Sequence, residues 1–421
     1  MTAINKTQLP NLLGLTSEQA VAAAAAVRIP VNVSLPAYKE FYRLGRDPGA
    51  AWDVRLPPVV RVLREDSVEG EVVKFVCRVP RVLGGKLESE LAREEAGNEG
   101  GEVGGMAGAR GGVVRLPVVG GGGGVTGDLE TESVLIPMMG TARGLTYTLC
   151  LSSQIGCAMG CGFCETAQMG LLRSLSAAEI VAQWYVATHV VGIRPKNIVF
   201  MGMGEPLDNF DNVMQALSVL KDHNGAAVPI SQITVSTVGK LDGLRKLREW
   251  IQQPTWHRLN LAVSLNAPND GVRDSLMPVN RKWNLRELQQ ELIDWPRFGG
   301  NKFCIEYVLI PGVNDSREHA REIADFVRPL KSQLIAATGG GGGEGKDTRE
   351  RAVINIIPYN PRRRSPWPAP TEERVNEFIG WLIEERVFVK RRRTKGREMM
   401  GACGQLGNEA IRNRKLVTDL G

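Results

Sequence analysis

Cys157-Ala158-Met159-Gly160-Cys161-Gly162-Phe163-Cys164 is the stretch on which the reading of this chain turns. Its three thiols stand just after a short β-branched run at 146–151. From that run onward, strand-length apolar segments alternate with amphipathic segments of helix length. Expected strands lie near 146–151, 197–201, 233–236, 259–264, 304–310 and 353–357. Expected helices lie near 176–191, 211–223, 241–252, 284–295, 316–330 and 371–386. This β–α alternation predicts an α/β fold with a parallel sheet and right-handed crossovers.

In such folds the reactive groups gather at the C-terminal ends of the strands. The sequence meets that rule. Behind the first strand comes the cysteine stretch, and behind the second Gly202-Met203-Gly204-Glu205-Pro206. The third strand ends in Ser236-Thr237-Val238-Gly239 and the fourth in Ser264-Leu265-Asn266-Ala267. Pro311-Gly312-Val313-Asn314-Asp315 and Pro358-Tyr359-Asn360-Pro361 follow the fifth and sixth. All of these clusters are expected on one rim.

The chain has 421 residues, 43% hydrophobic and 23% charged, which suits a soluble globular protein of two or three domains. No apolar run approaches the ~20 residues that span a bilayer. The run at 21–27 reads as a short amphipathic helix rather than a signal peptide. A cytoplasmic protein is expected. Seven cysteines, an odd number with three crowded together, argue against a secreted disulfide framework and for a metal or redox site. The net charge of +6 is modest. Positive charge collects in Arg362-Arg363-Arg364 and Lys390-Arg391-Arg392-Arg393, with Lys395 and Arg397. Two readings stand for these runs, a solvated basic face and a contact with RNA phosphates. Glycine dominates residues 95–127, which read as a disordered insertion in a hairpin, and a second glycine-rich insert spans 338–346.

Cysteines spaced C-x3-C-x2-C can hold three corners of a [4Fe-4S] cubane and leave the fourth iron open. The amino and carboxylate groups of S-adenosylmethionine (SAM) can take that iron, and one electron then breaks the adjacent S–C bond. A structural zinc site and an electron-transfer cluster are the alternatives, and both want a fourth ligand. Gly204 and its neighbour Gly202 would let backbone approach a ligand closely, and Glu205 could accept from the methionine ammonium. Ser236, Ser264, Asn266 and Asn360 are further candidate contacts, each also readable as a cap or turn residue. Cys403, flanked by Ala402 and Gly404, follows the basic run; Cys150 ends the first strand near the same rim. Cys77 and Cys304 read as small buried hydrophobes.

Cys150-Leu-Ser-Ser-Gln-Ile-Gly-Cys157 running on through Cys161 and Cys164, with Gly202–Pro206, 358–361 and Ala402-Cys403-Gly404-Gln405-Leu406, resembles the RlmN/Cfr family of radical SAM methyl synthases. The match spans about 129 to 410. The resemblance implies a partial (β/α)6 barrel with an N-terminal accessory region and a small β extension. It implies methylation of an adenine ring carbon, C2 or the C8 alternative, in 23S rRNA and tRNA. By the same resemblance Cys403 carries the methyl group as S-methylcysteine and Cys150 resolves the RNA adduct through a transient disulfide with Cys403. Glu132 would accept the proton, and Gly204, Glu205, Ser236, Ser264, Leu265, Asn266 and Asn360 would contact SAM. A one-electron donor such as flavodoxin and a monomeric enzyme are expected with it. A radical SAM enzyme with another substrate and a non-catalytic RNA-binding protein with a structural metal are the competing classes.

The expected division is an accessory region at 1–66, a β extension at 67–140, a radical SAM core at 141–396 and a thiol-bearing tail at 397–421. The sequence departs from the family in three places. Asn266 stands where His is common, and Glu398-Met399 where Asp-Ile is usual. Residues 1–66 do not display the aromatic and basic helical pattern expected of an N-terminal RNA-binding domain.

Overall fold

The computed structural model describes residues 10–49, 52–81, 129–140, 144–296, 298, 303–336 and 352–407. Both glycine-rich inserts, at 95–127 and 338–346, lie outside the described residues, as does the tail beyond 407. Strands β1 (Val59–Ser67), β2 (Gly70–Val79), β3 (Leu129–Gly140) and β4 (Gly144–Cys150) form antiparallel neighbours. From β4 the sheet turns parallel through β7 (Asn197–Phe200), β8 (Ile233–Thr237), β9 (Asn260–Ser264), β10 (Phe303–Leu309), β11 (Ala352–Pro358) and β12 (Val389–Arg391). The two-residue strands β5 (Gln154–Ile155) and β6 (Arg173–Ser174) pair separately beside the cysteine stretch. The expected parallel strands are present, and β12 adds one more that is too short to show a pattern in sequence.

Residues from the ends of β7, β8, β9, β10 and β11 line one cavity. Strands ~4.8 Å apart in a flat sheet would spread those ends too far, so the sheet must curl around them. That is a partial barrel. Its parallel strands are apolar toward the helices, as strands covered on that face must be. Polar side chains such as Ser236, Ser264 and Glu306 line the cavity inside.

β1 lies largely exposed, and its charged residues hide the strand alternation from a sequence reading. It carries the β extension N-terminal of the expected boundary at 66. Helices Ser17–Ala26 and Val31–Leu44 pack ahead of it. The second helix does carry an aromatic set, Tyr38, Phe41 and Tyr42, contrary to the sequence reading. The set is buried: Phe41 stacks on Tyr185 at 4.5 Å, and the Tyr42 hydroxyl donates to the Leu12 and Leu13 carbonyls, each at 3.1 Å. These rings dock the accessory region on helix Ala177–Tyr185. Among the described residues no helix is long and apolar enough to cross a membrane.

Candidate active site

The loop after β4 holds Cys157, Cys161 and Cys164 by backbone restraints. Gly156 sits at φ 73°, where a Cβ would meet the Gly170 carbonyl at 1.7 Å, so only glycine is accommodated. The Cys157 N–H donates to Gly170 O at 3.0 Å, and the Gly162 N–H to Leu276 O at 2.9 Å. Gln168 Nε2 donates to the carbonyls of Cys161 and Cys164 at 3.3 and 3.1 Å. Arg362 Nε donates to Gly162 O at 2.8 Å. A small apolar cluster of Phe163, Leu276, Met277, Ile310 and Tyr359 packs around Cys161.

All three cysteines line one cavity together with Gly202, Gly204, Glu205, Ser236, Ser264, Asn266, Asn360 and Cys403. Burial pushes all three thiols above their ordinary range, and mutual repulsion adds to this at Cys157 and Cys161. A cationic iron–sulfur core would stabilise the thiolate forms that burial and mutual repulsion disfavour. Among the described residues no group of His, Cys, Asp or Glu converges as the ligands of a single ion would. Three cysteines facing one cavity are nonetheless the donor types that a cluster with one open iron takes, one thiolate to an iron.

The glycines after β7 serve a purpose the sequence did not reveal. A Cβ at Gly202 would strike Leu151 O at 2.6 Å, and one at Gly204 (φ 99°) would strike the Gln154 side chain at 2.6 Å. Their close approach is to the chain itself. It brings Glu205 to the cavity floor, where Glu205 accepts from the N–H groups of Leu207 (3.0 Å) and Val238 (2.9 Å). Burial pushes Glu205 up to about 7 against those hydrogen bonds. An ammonium placed there would bring it back down.

Asn266 takes the left-handed conformation at φ 54°, which asparagine tolerates better than most residues. Its Oδ1 accepts from the Val308 N–H at 2.9 Å, and Asn314 Nδ2 donates to its carbonyl at 2.9 Å. Leu265 is buried and is not among the cavity-lining residues; its carbonyl accepts from Arg273 Nε at 3.1 Å. Arg273, fully buried and unforeseen from sequence, also donates to Val238 O at 2.6 Å and Ser264 O at 3.3 Å. It locks the rims of β8 and β9 together.

Cys403 comes to the same cavity on a tail segment. Asn360 Nδ2 donates to the Cys403 carbonyl at 3.4 Å, and the Glu165 N–H to Gly404 O at 2.7 Å. Thr166 Oγ1 donates to Leu406 O at 2.6 Å. Cys150 lies behind the cavity wall, outside its lining. Burial pushes it up to about 12; the neighbouring Cys403 adds to this and the Arg392 cation opposes it. Glu132 is also outside the lining, with Oε2 accepting from the Gly407 N–H at 2.9 Å and 3.0 Å from Lys74 Nζ. Burial raises Glu132, and Lys74 opposes the rise.

Sequence reasoning missed Glu306, which is buried against Arg392 at 3.1 Å and accepts from Asn355 Nδ2 at 3.0 Å. Cys304, read as a bland hydrophobe, joins that network, with its thiol 3.1 Å from Glu306 Oε1. The basic runs need correction too. Arg362 is buried under the cysteine loop. Arg391 pairs with Glu372, Arg392 with Glu306, and Arg393 and Lys395 with Glu69. Much of this charge is neutralised inside the chain, which neither sequence reading anticipated.

A family model described as the radical SAM superfamily matches residues 151–327. A probable dual-specificity RNA methyltransferase RlmN 1 of Protochlamydia amoebophila is 43% identical over 288 residues, covering 68% of this chain and 72% of that relative. The dual-specificity RNA methyltransferase RlmN of Syntrophotalea carbinolica is 40% identical over 280 residues, covering 66% and 67%. A crystal structure of a radical SAM methyltransferase from Sphaerobacter thermophilus superposes with a TM-score of 0.69 at 28% identity, over 94% of this chain and 98% of that one. Identity at this level across most of both chains, joined to the matched superfamily model, makes this chain a member of the RlmN family of radical SAM RNA methyltransferases.

Proposed function

We propose that the protein methylates C2 of an adenine in 23S rRNA, and in tRNA as a second substrate, through a methyl group carried on Cys403. The observation that carries this reading is the meeting of Cys403 with the cysteine triad in one cavity. The superfamily match supports a SAM-cleaving cluster on Cys157, Cys161 and Cys164 over zinc or a closed electron carrier. When bound there, the cluster supplies the electron that cleaves SAM to a 5′-deoxyadenosyl radical.

Every other step belongs to the chain. Glu205 orients the ammonium of SAM, and the cavity-lining Ser236, Ser264, Asn266 and Asn360 are in position to hold the rest of it, with Leu265 behind them. Cys403 as thiolate takes a methyl group by displacement from a first SAM. That methyl then loses a hydrogen atom to the 5′-deoxyadenosyl radical, and the carbon radical so formed bonds to the adenine ring. The electron-poor ring carbon cannot attack an electrophilic methyl, so a radical route is required. Glu132 takes the ring proton, and the unpaired electron left on the ring leaves to a one-electron acceptor of the flavodoxin type. Cys150 attacks the Cys403 sulfur, the S–C bond to RNA breaks, and the released carbon takes a proton to become methyl. The resulting disulfide must then be reduced by an external thiol.

A flavodoxin-type electron donor, a monomeric state and a cytoplasmic location complete the reading, which also keeps the division into accessory region, β extension, core and tail. Mass spectrometry of rRNA and tRNA nucleosides from a deletion strain beside its parent tests it. Loss of 2-methyladenosine from both RNAs is expected. Loss of 8-methyladenosine instead would move the reaction to the other ring carbon, and no change in any methyladenosine would contradict the reading.

A further inference from the structure

Glu132 and Lys74 are the most deeply buried ion pair among the described residues, with side chains only 6% and 5% exposed. They sit on neighbouring strands. In the β2–β3 register Val76 faces Glu132 and Lys74 faces Val134, so the two charges meet diagonally on one face. Lys74 Nζ lies 3.0 Å from Glu132 Oε2, and donates to Met400 O at 3.1 Å and Met399 O at 3.4 Å. Glu132 Oε2 in turn accepts from the Gly407 N–H at 2.9 Å. Lys74 therefore holds the chain just before Cys403, and Glu132 holds it just after.

We propose that Lys74 is a positioning residue: it clamps the Cys403 loop through the Met399 and Met400 carbonyls, and it keeps Glu132 ionised to accept the substrate proton. The second half rests on the roles given above to Glu132 and Cys403. A buried ion pair adds little stability over well-packed apolar residues; what this one supplies is a fixed loop and a defined charge. Met400 is held at φ 54°, an uncommon backbone for a side-chain-bearing residue, and its carbonyl is one of those Lys74 grips.

The charge argument follows from what surrounds the carboxylate. Burial disfavours its ionised form. From β2, Lys74 opposes that most strongly; the Gly407 N–H does so from the tail, and Arg61 does so from β1 while itself pairing with Glu130. A proton acceptor must be ionised before it acts. Removing the Lys74 cation raises Glu132 further, so its ionisation shifts to higher pH.

The test uses Lys74→Met in the full chain. Hydrogen–deuterium exchange across residues 399–407 of the cofactor-free protein is expected to quicken by about a hundredfold or more, the effect of losing two hydrogen bonds from a charged donor. In the reconstituted enzyme with RNA, turnover is expected to fall about tenfold at pH 7 and to recover as pH is raised, while the parent stays nearly flat. A purely structural residue would give a loss that pH does not repair. Unchanged exchange, or a loss that higher pH leaves in place, overturns the proposal. Should Lys74→Met not fold, Lys74→Gln keeps hydrogen-bond donors but no charge, and the same pH recovery is required of it. Mass spectrometry of Cys403 from the parent after SAM alone guards the underlying reading. A parent that never gains a methyl on Cys403 refutes the methyl-carrier role, and the exchange measurement then decides the clamp by itself.

Discussion

Residues 156–168 and residues 399–407 bring thiols to one cavity by different balances of restraint. The first loop is shaped mainly by backbone: Gly156 fits nothing larger, N–H groups at Cys157 and Gly162 fix its course, and Gln168 and Arg362 add side-chain donors to its carbonyls. The second is gripped by side chains from other parts of the chain, Lys74, Glu132 and Thr166 among them. The difference follows the work each loop is assigned. A cluster needs three thiols that do not move. A sulfur with the role proposed for Cys403, methylated, joined to RNA and then attacked by Cys150, would have to be held yet able to change its bonding partner.

The largest effect should separate the two loops outright. Cys161→Ala is expected to reduce iron content and SAM cleavage to background, whereas Cys403→Ala should keep both and abolish RNA methylation. Iron assay and 5′-deoxyadenosine release check this, and iron loss in Cys403→Ala would break the comparison. Next, Gly156→Ala forces a Cβ onto a carbonyl at positive φ and is expected to destabilise the fold by about 3 kcal/mol, read by urea unfolding. Arg362→Met removes a buried donor to Gly162 O and should cost about 2 kcal/mol. It should leave the salt dependence of RNA binding unchanged; a shallower slope would restore Arg362 as a phosphate contact. The smallest effect belongs to the tail: Thr166→Val loses one hydrogen bond to Leu406 O, worth about 1 kcal/mol, and should speed amide exchange there about fivefold.

The rim was legible because strand–helix alternation forces polar and glycine-rich clusters to the strand ends, and the cysteine spacing announces itself. Partnerships were not legible. Lys74 and Glu306 look like ordinary strand charges until the register brings them to Glu132 and Arg392. The basic run at 390–395 invited an RNA reading because charge along a sequence is visible and its carboxylate partners are not. Glu69 and Glu372 lie far from it in the chain. Tyr38, Phe41 and Tyr42 illustrate the same gap, since burial against Trp184 and Tyr185 is a tertiary fact.

The central claim is that Cys403 carries the transferred carbon and Cys150 releases it. Peptide mass spectrometry of Cys150→Ala, after turnover with SAM, reductant and RNA, tests that claim directly. The account predicts an RNA fragment covalently attached at Cys403 in the variant and absent from the parent. Free, unmodified Cys403 in a variant that still cleaves SAM would contradict it.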